Sequence, residues 1–295
     1  MPDVEIEDTF AEAFPMIAGR ILITADSEEW AMNSAISATG FASSIIMSPA
    51  EAGIEGPKAS PEKTPDGRTG VYMQIYHRTG REFKGQMLAR IGQCILTCPT
   101  TAAFDGIQKA KKRIKIGRAI RYFGDGFQKK DTVGGRDVWR IPVMEGEFTI
   151  EDKFGVKRAV AGGNFIIMAD DQKNGLEAAV RAVKEIKKVR GVITTFPGGI
   201  CRSGSKVGSN KYKLPASTNQ LFCPMLKDSV SETNVPKNVN SVYEIVLNGL
   251  TLNRVKSAME KGINAAINVE GVKKITAVNF GGKLGPFKIN LKEIL

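Results

Sequence analysis

The sequence of 295 residues holds one histidine, two tryptophans and four cysteines, and each scarcity removes a class of function. Any Ser-His-Asp or Cys-His arrangement has to be built around His77. Cys94, Cys98, Cys201 and Cys223 are too few for a disulfide framework. With Cys94 and Cys98 as the sole close pair, they also fall short of the about four ligands of a zinc site, so free thiols and no metal are expected. No apolar run nears the ~20 residues that cross a bilayer. The opening MPDVEIEDTF is acidic where a leader is basic and then apolar. A soluble, cytoplasmic chain with no membrane partner follows as the expectation.

What is present is a globular composition, 42% hydrophobic and 25% charged, on a length that suits one large domain or two. The formal charge is +11, and seven Lys or Arg residues fall between Lys109 and Arg121 with no acid among them. Such a run suits an anionic partner, either nucleic acid or a carrier bearing carboxylates and phosphate; a solvated, curved surface segment explains it equally well.

Periodicity divides the chain. Asn164–Ala169 reads as a buried strand, and Gln172–Lys188 as a helix with Leu176, Val180, Val183 and Ile186 on one face. Val192–Phe196 and Val242–Asn248 are strands, Leu252, Val255, Met259 and Ile263 stripe a second helix, and Ile275–Phe280 closes a βαββαβ order. The first half repeats it: Arg20–Ala25 and Ser43–Met47 as strands around a Glu28–Ala38 helix, Val71–His77 as the third strand, a helix striped by Phe83, Met87, Leu88 and Ile91, and Ile95–Thr97 as the fourth. RILITADSEEW and NFIIMADDQKN show the repeat in letters, each a strand ending in Ala-Asp before a capped helix. Ala119–Phe123, Asp137–Pro142 and Glu147–Ile150 add strands between the halves. The expectation is an α+β protein of two ferredoxin-like (split βαβ) lobes, residues 1–155 and 156–295.

Several residues could carry chemistry. Gly199–Lys206 (GICRSGSK) nearly spells a phosphate-binding loop, yet Val207 stands where a Ser or Thr would bind magnesium. What survives is a loop offering backbone N–H groups, Arg202, Ser205 and Lys206 to a carboxylate or phosphate, with a plain surface loop as the alternative. Glu244 sits in VYEIVLNG on the same strand face as Val242 and Val246. Burial there raises a carboxyl's pKa toward neutrality and fits it for general acid work; an ion pair with a nearby cation is the plainer reading. Asn279 and Lys283 flank two glycines after the last strand, and Glu51 follows Pro49 in the first lobe as its counterpart or as an exposed loop acid.

Taken in order, VEIEDTFAEAFP (4–15), IIMSPAEAGIE (45–55), TCPTTAAFDG (97–106), AGGNFIIMA (161–169), FPGGI (196–200), SGSKVGSNKYK (203–213), VYEIVLNGL (242–250) and NFGGKLG (279–285) resemble the formylmethanofuran:tetrahydromethanopterin formyltransferase family over nearly the whole chain. The resemblance implies two ferredoxin-like lobes and assembly into dimers or tetramers. It also implies a cofactor-free, metal-free transfer of formyl from formylmethanofuran to N5 of tetrahydromethanopterin through a tetrahedral intermediate. It makes Glu244 the acid and Ser205, Lys206, Asn279 and Lys283 ligand contacts; Ser48, standing where the family commonly has cysteine, Arg202, placed beside the cleft loop where the chain departs from the family's motif, and Glu51 are further candidate substrate contacts. The alternative is a divergent paralogue or a basic binding subunit without transferase activity; RNA binding is disfavoured because the central strands lack the K/R-G-F-x-F pattern.

Overall fold

The computed structural model describes residues 4–295. In chain order its elements are β1 Glu5–Ile6, β2 Phe10–Thr24, α1 Glu28–Thr39, β3 Glu51–Ile54, β4 Gly70–His77, α2 Gly80–Arg90, β5 Ala102–Asp105, β6 Lys112–Ile114, α3 Ile116–Ile120 and β7 Lys129–Val133. There follow β8 Arg136–Val143, β9 Gly146–Glu151, β10 Phe154–Ala169, α4 Gln172–Ile186, β11 Val192–Thr194, β12 Ser241–Gly249, α5 Leu252–Ala266, β13 Val272–Thr276 and β14 Phe287–Asn290. They form two compact units that are not contiguous in sequence. One takes the described residues up to Pro15, Ser43–Ser48 and Val160–Leu295; the other takes Met16–Ala42 and Pro49–Ala159.

The first unit is a βαββαβ sheet. β10 lies between β12 and β13, antiparallel to both, and β11 borders β12. Asp171 and Thr251 start α4 and α5 by accepting the N–H groups of Asn174 and Arg254, which relieves amides that have no partner inside the helix. Both helices cover one sheet face, where Phe165, Ile167, Ile245 and Leu247 meet Ala182, Val255 and Met259 in one core. Phe10–Ala13 of β2 pairs with β14 on this unit, and Ala11 and Ala13 enter the same core.

The second unit repeats the plan with β2, β3, β4 and β5. β2 is central between β4 and β5, and β3 borders β4. Ser27 caps α1, and Ile21, Ile23, Met73, Phe83 and Met87 build the core. β9 joins β5 in parallel and β8 and β7 extend the sheet as an antiparallel meander. The α+β class and the two ferredoxin-like lobes are therefore present.

Four local expectations are corrected. Ser43–Met47 is a turn, not a strand: Ser48 Oγ donates to the Ser44 carbonyl at 2.6 Å and accepts the Ser44 N–H at 3.0 Å, and the strand lies beyond Pro49 as β3. Ile95–Thr97 belongs to a widened helical turn following α2, and the fourth strand is β5. Ala119–Phe123 is helical, because α3 seats against β9 through Gly117, where a Cβ would meet the Glu151 carbonyl at 2.1 Å. On α4 the buried stripe is Gly175, Ala178, Ala179, Ala182, Val183 and Ile186, leaving Leu176 and Val180 exposed; small residues let α4 and α5 approach closely.

Candidate functional site

β12 buries alternate side chains on opposite faces, as a strand with period two must. Tyr243, Ile245 and Leu247 go into the core beneath the helices. Glu244 therefore faces the other side, in register with Ile166 on β10, and that row continues to Thr276 on β13. A single bridge pins the next layer: Cys201 N–H donates to the Glu244 carbonyl at 2.8 Å and Glu244 N–H to the Cys201 carbonyl at 2.9 Å. From there the glycine-rich turn delivers Ser205, whose N–H donates to Glu244 Oε2 at 2.8 Å and whose Oγ lies 2.6 Å from Oε1.

Glu244 is only 3% exposed. Burial pushes its carboxyl pKa up, the two bonds from Ser205 pull it down, and burial wins. No Lys or Arg forms an ion pair with it among the described residues, so the plainer reading of the strand carboxylate is not what is found; its partner is a hydroxyl and an amide. The 2.6 Å contact serves both protonation states, since an ionised carboxylate accepts the Ser205 hydroxyl proton and a neutral one donates its own. The carboxyl lines a cavity of about 490 Å³ with Ile166, Cys201, Arg202, Phe222 and Val242. Buried Cys201, its thiol pKa pushed up by burial, lies 3.5 Å from Ser203 Oγ.

Of the residues singled out in the sequence, Glu244, Ser205 and Arg202 are brought together, with Arg202 exposed and free of any ion pair among the described residues. Lys206 is next in the chain but bonds through Nζ to Gln220 Oε1. Asn279 and Lys283 are on a different loop, and neither lines this cavity. Asn279 Nδ2 donates to Thr9 Oγ1 at 3.1 Å and to the Phe10 carbonyl at 3.2 Å, while Lys283 is exposed. Ser48 closes its own turn. In the other unit Glu51 is a buried residue of β3 opposite Tyr76, not an exposed loop acid. His77, at the end of β4, accepts the Thr79 N–H through Nδ1 at 3.0 Å.

Two constellations had no sequence signal. Glu12, 1% exposed, accepts four backbone N–H groups of the 280–285 loop: Phe280 at 2.7 Å, Gly282 at 3.0 Å, Gly285 at 2.9 Å, and Leu284. Burial pushes this carboxyl up, yet the four amides outweigh it and hold the pKa below the ordinary value. In the second unit Glu55 takes a two-pronged bond from Arg20, Nε at 2.6 Å and Nη2 at 2.8 Å, and a third from Gln74 at 2.6 Å; the Arg20 guanidinium also lies 3.5 Å from the Tyr72 ring centre.

The chain as a whole matches proteins of known activity. A family model described as formylmethanofuran-tetrahydromethanopterin formyltransferase matches residues 1–143, and one described as FTR, proximal lobe, matches residues 146–294. The formylmethanofuran--tetrahydromethanopterin formyltransferase of Methanocaldococcus jannaschii is 55% identical, over 99% of this chain and 98% of that protein. The protein of the same name from Archaeoglobus fulgidus is 53% identical over the same shares. Among solved structures, the Methanosarcina barkeri enzyme of that name superposes with a TM-score of 0.96 at 51% identity, over 100% of this chain and 99% of that one. A chain of the formyltransferase/hydrolase complex (FhcABCD) from Methylorubrum extorquens, in complex with methylofuran, does so with a TM-score of 0.94 at 42% identity, over 100% and 97%.

Proposed function

We infer that this chain, which belongs to the formylmethanofuran-tetrahydromethanopterin formyltransferase family, is an enzyme that transfers a formyl group between formylmethanofuran and tetrahydromethanopterin, with Glu244 as its general acid. The observation that carries the acid role is a carboxyl buried on an apolar strand face, raised in pKa by that burial, unpaired with any cation among the described residues, and open to a cavity. N5 of tetrahydromethanopterin attacks the formyl carbon, and the carbonyl electron pair moves onto oxygen. Glu244 protonates that oxyanion and regains a proton as the carbonyl re-forms. The C–N bond to methanofuran breaks, and the departing amine leaves with the proton that N5 gives up. Both carriers are substrates, and a formamide exchanging between two amines needs positioning and charge stabilisation, with no tightly bound cofactor.

Ser205 keeps the Glu244 carboxyl aimed and supplies a hydroxyl through which the proton can pass. Arg202 and Lys206 meet anionic groups of the carriers near that cavity, and Asn279 and Lys283 are contacts carried by the 279–285 loop of the same unit. Among the described residues no helix is long and apolar enough to cross a membrane. The enzyme assembles into dimers or tetramers, a reading supported by Phe123 and Met144, exposed hydrophobics that line one surface cavity of about 760 Å³. Sedimentation of the full chain is expected to give a mass above one protomer, and a monomer at all concentrations sinks the assembly.

Glu244→Gln is the decisive variant for the acid role, because the amide keeps both bonds to Ser205 and loses only the transferable proton. Turnover in a spectroscopic transfer assay is expected to fall roughly a hundredfold or more. A raised pKa means the acid form persists above the ordinary carboxyl range and is lost as pH climbs through the folded-state value. The wild-type rate is therefore expected to decline along that alkaline limb. The same limb in Glu244→Gln, or an undiminished rate, removes the acid from the mechanism.

A further inference from the structure

The basic run of the sequence lines a groove whose lining shares no residue with the Glu244 cavity. Within the second unit, Lys109, Lys111 and Lys112 line one wall of a groove of about 830 Å³; Lys84 of α2 and Lys157 and Arg158 of β10 supply the rest of its charge. Ile17, Ile107, Ile114 and Val156 give it an aliphatic lining, and among the described residues no acid and no hydroxyl residue lines it. None of the six cations makes an ion pair among the described residues. The carboxylates carried by the adjoining strands are already engaged: Asp105 by Arg113 at 3.3 Å, and Glu151 by Arg113 at 2.8 Å and Arg136 at 3.0 Å. The segment carrying the lysines is held close against β10, since a Cβ on Gly155 would meet the Ile107 carbonyl at 2.3 Å. Six like charges kept within one concavity repel one another, and a ligand of opposite sign relieves that cost.

We propose that this groove is a docking site for an acidic polypeptide segment of a partner protein, its carboxylates meeting the lysines and its aliphatic side chains resting on the isoleucines. A lone phosphate or sulfate would leave the aliphatic lining unused. A single-stranded nucleic acid stacks its bases on exposed aromatics, and the one aromatic of the lining, Phe83, is buried in the core. An extended acidic chain uses both halves of the surface.

The test is fluorescence anisotropy with the full chain and a fluorescein-labelled peptide alternating Glu and Leu. Saturable binding that weakens steeply with added salt is expected. The double reversal Lys111→Glu with Lys157→Glu is expected to weaken it by at least about tenfold, roughly 1.4 kcal/mol. Lys84→Glu, on an exposed helix position, is expected to weaken it in the same direction, and unchanged melting temperatures exclude misfolding. The proposal is overturned by an absence of saturable binding at low salt, or by equal binding to the reversed variants. Tighter binding of a uridine oligonucleotide would assign the groove to nucleic acid, and displacement of the peptide by formylmethanofuran would assign it to the substrate; either result also overturns it.

Discussion

Glu12 and Glu244 are both buried carboxylates of one unit, and their surroundings shift their pKa values in opposite directions. Glu244 has one amide and one hydroxyl against complete burial and rises; Glu12 has four amides and falls. The amides around Glu12 are those of Phe280, Gly282, Leu284 and Gly285, so an ionised Glu12 holds the shape of the loop that carries Lys283. Glu12→Gln would turn an NH₂ group toward two of those N–H groups. The loss is expected to be about 1.5–3 kcal/mol, the range for a hydrogen bond to a charged group, read from the denaturant midpoint. A lowered pKa makes this stabilisation complete above the ordinary value of 4.5 and lost as pH falls through the folded-state value, so the gap between wild type and variant is expected to close in acid. A gap of constant size from neutral to acid pH would show that the charge of Glu12 is not what holds the loop. None of this was legible from FAEAFP, where Glu12 is one polar residue between two alanines, because its partners lie about 270 residues further along the chain. Glu244 was legible, since a single acid in an apolar alternating strand is conspicuous whatever pairs with it.

At the scale of elements, α5 and β12 matched their sequence pattern because periodicity and burial agreed along them. Ser43–Met47 did not: its apolar Ile45 and Ile46 mimic a strand, while Ser44 and Ser48 close the backbone on itself. The α4 stripe misled for a related reason, as the helix buries alanines and a glycine where large residues were expected to mark the inner face. That inner face meets α5 at Gly262, where a Cβ would stand 2.9 Å from Ile186 Cδ1 and 3.0 Å from Phe165 Cζ. Gly262→Val gains helix propensity but forces both neighbours aside, and overpacking of this kind costs about 1–3 kcal/mol. Thermal unfolding is expected at a lower temperature than wild type. A variant as stable as wild type would mean that the helix pair can separate without cost to the core beneath it.

For the whole molecule, the partition of the chain is the consequential feature. The sequence repeat suggests that residues 156–295 make a lobe by themselves, and the βαββαβ order within them is complete. The core of that unit is not complete without the N-terminus: Ala11 and Ala13 are fully buried in it, β14 takes Phe10–Ala13 as its strand partner, and Glu12 supplies the acceptor for four of its amides. Removing the strand exposes apolar surface around Ile289 and takes from the 280–285 loop the carboxylate that gathers four of its amides, a loss that weighs against a domain stability of roughly 5–15 kcal/mol. A fragment of residues 156–295 is therefore expected to lack a cooperative unfolding transition and a near-ultraviolet circular dichroism signal. Addition of a peptide of residues 4–15 is expected to restore both, and a fragment carrying Glu12→Gln in that peptide to respond more weakly. Cooperative unfolding of the bare fragment would show instead that the lobe is self-sufficient and that the N-terminal strand is an accessory to it.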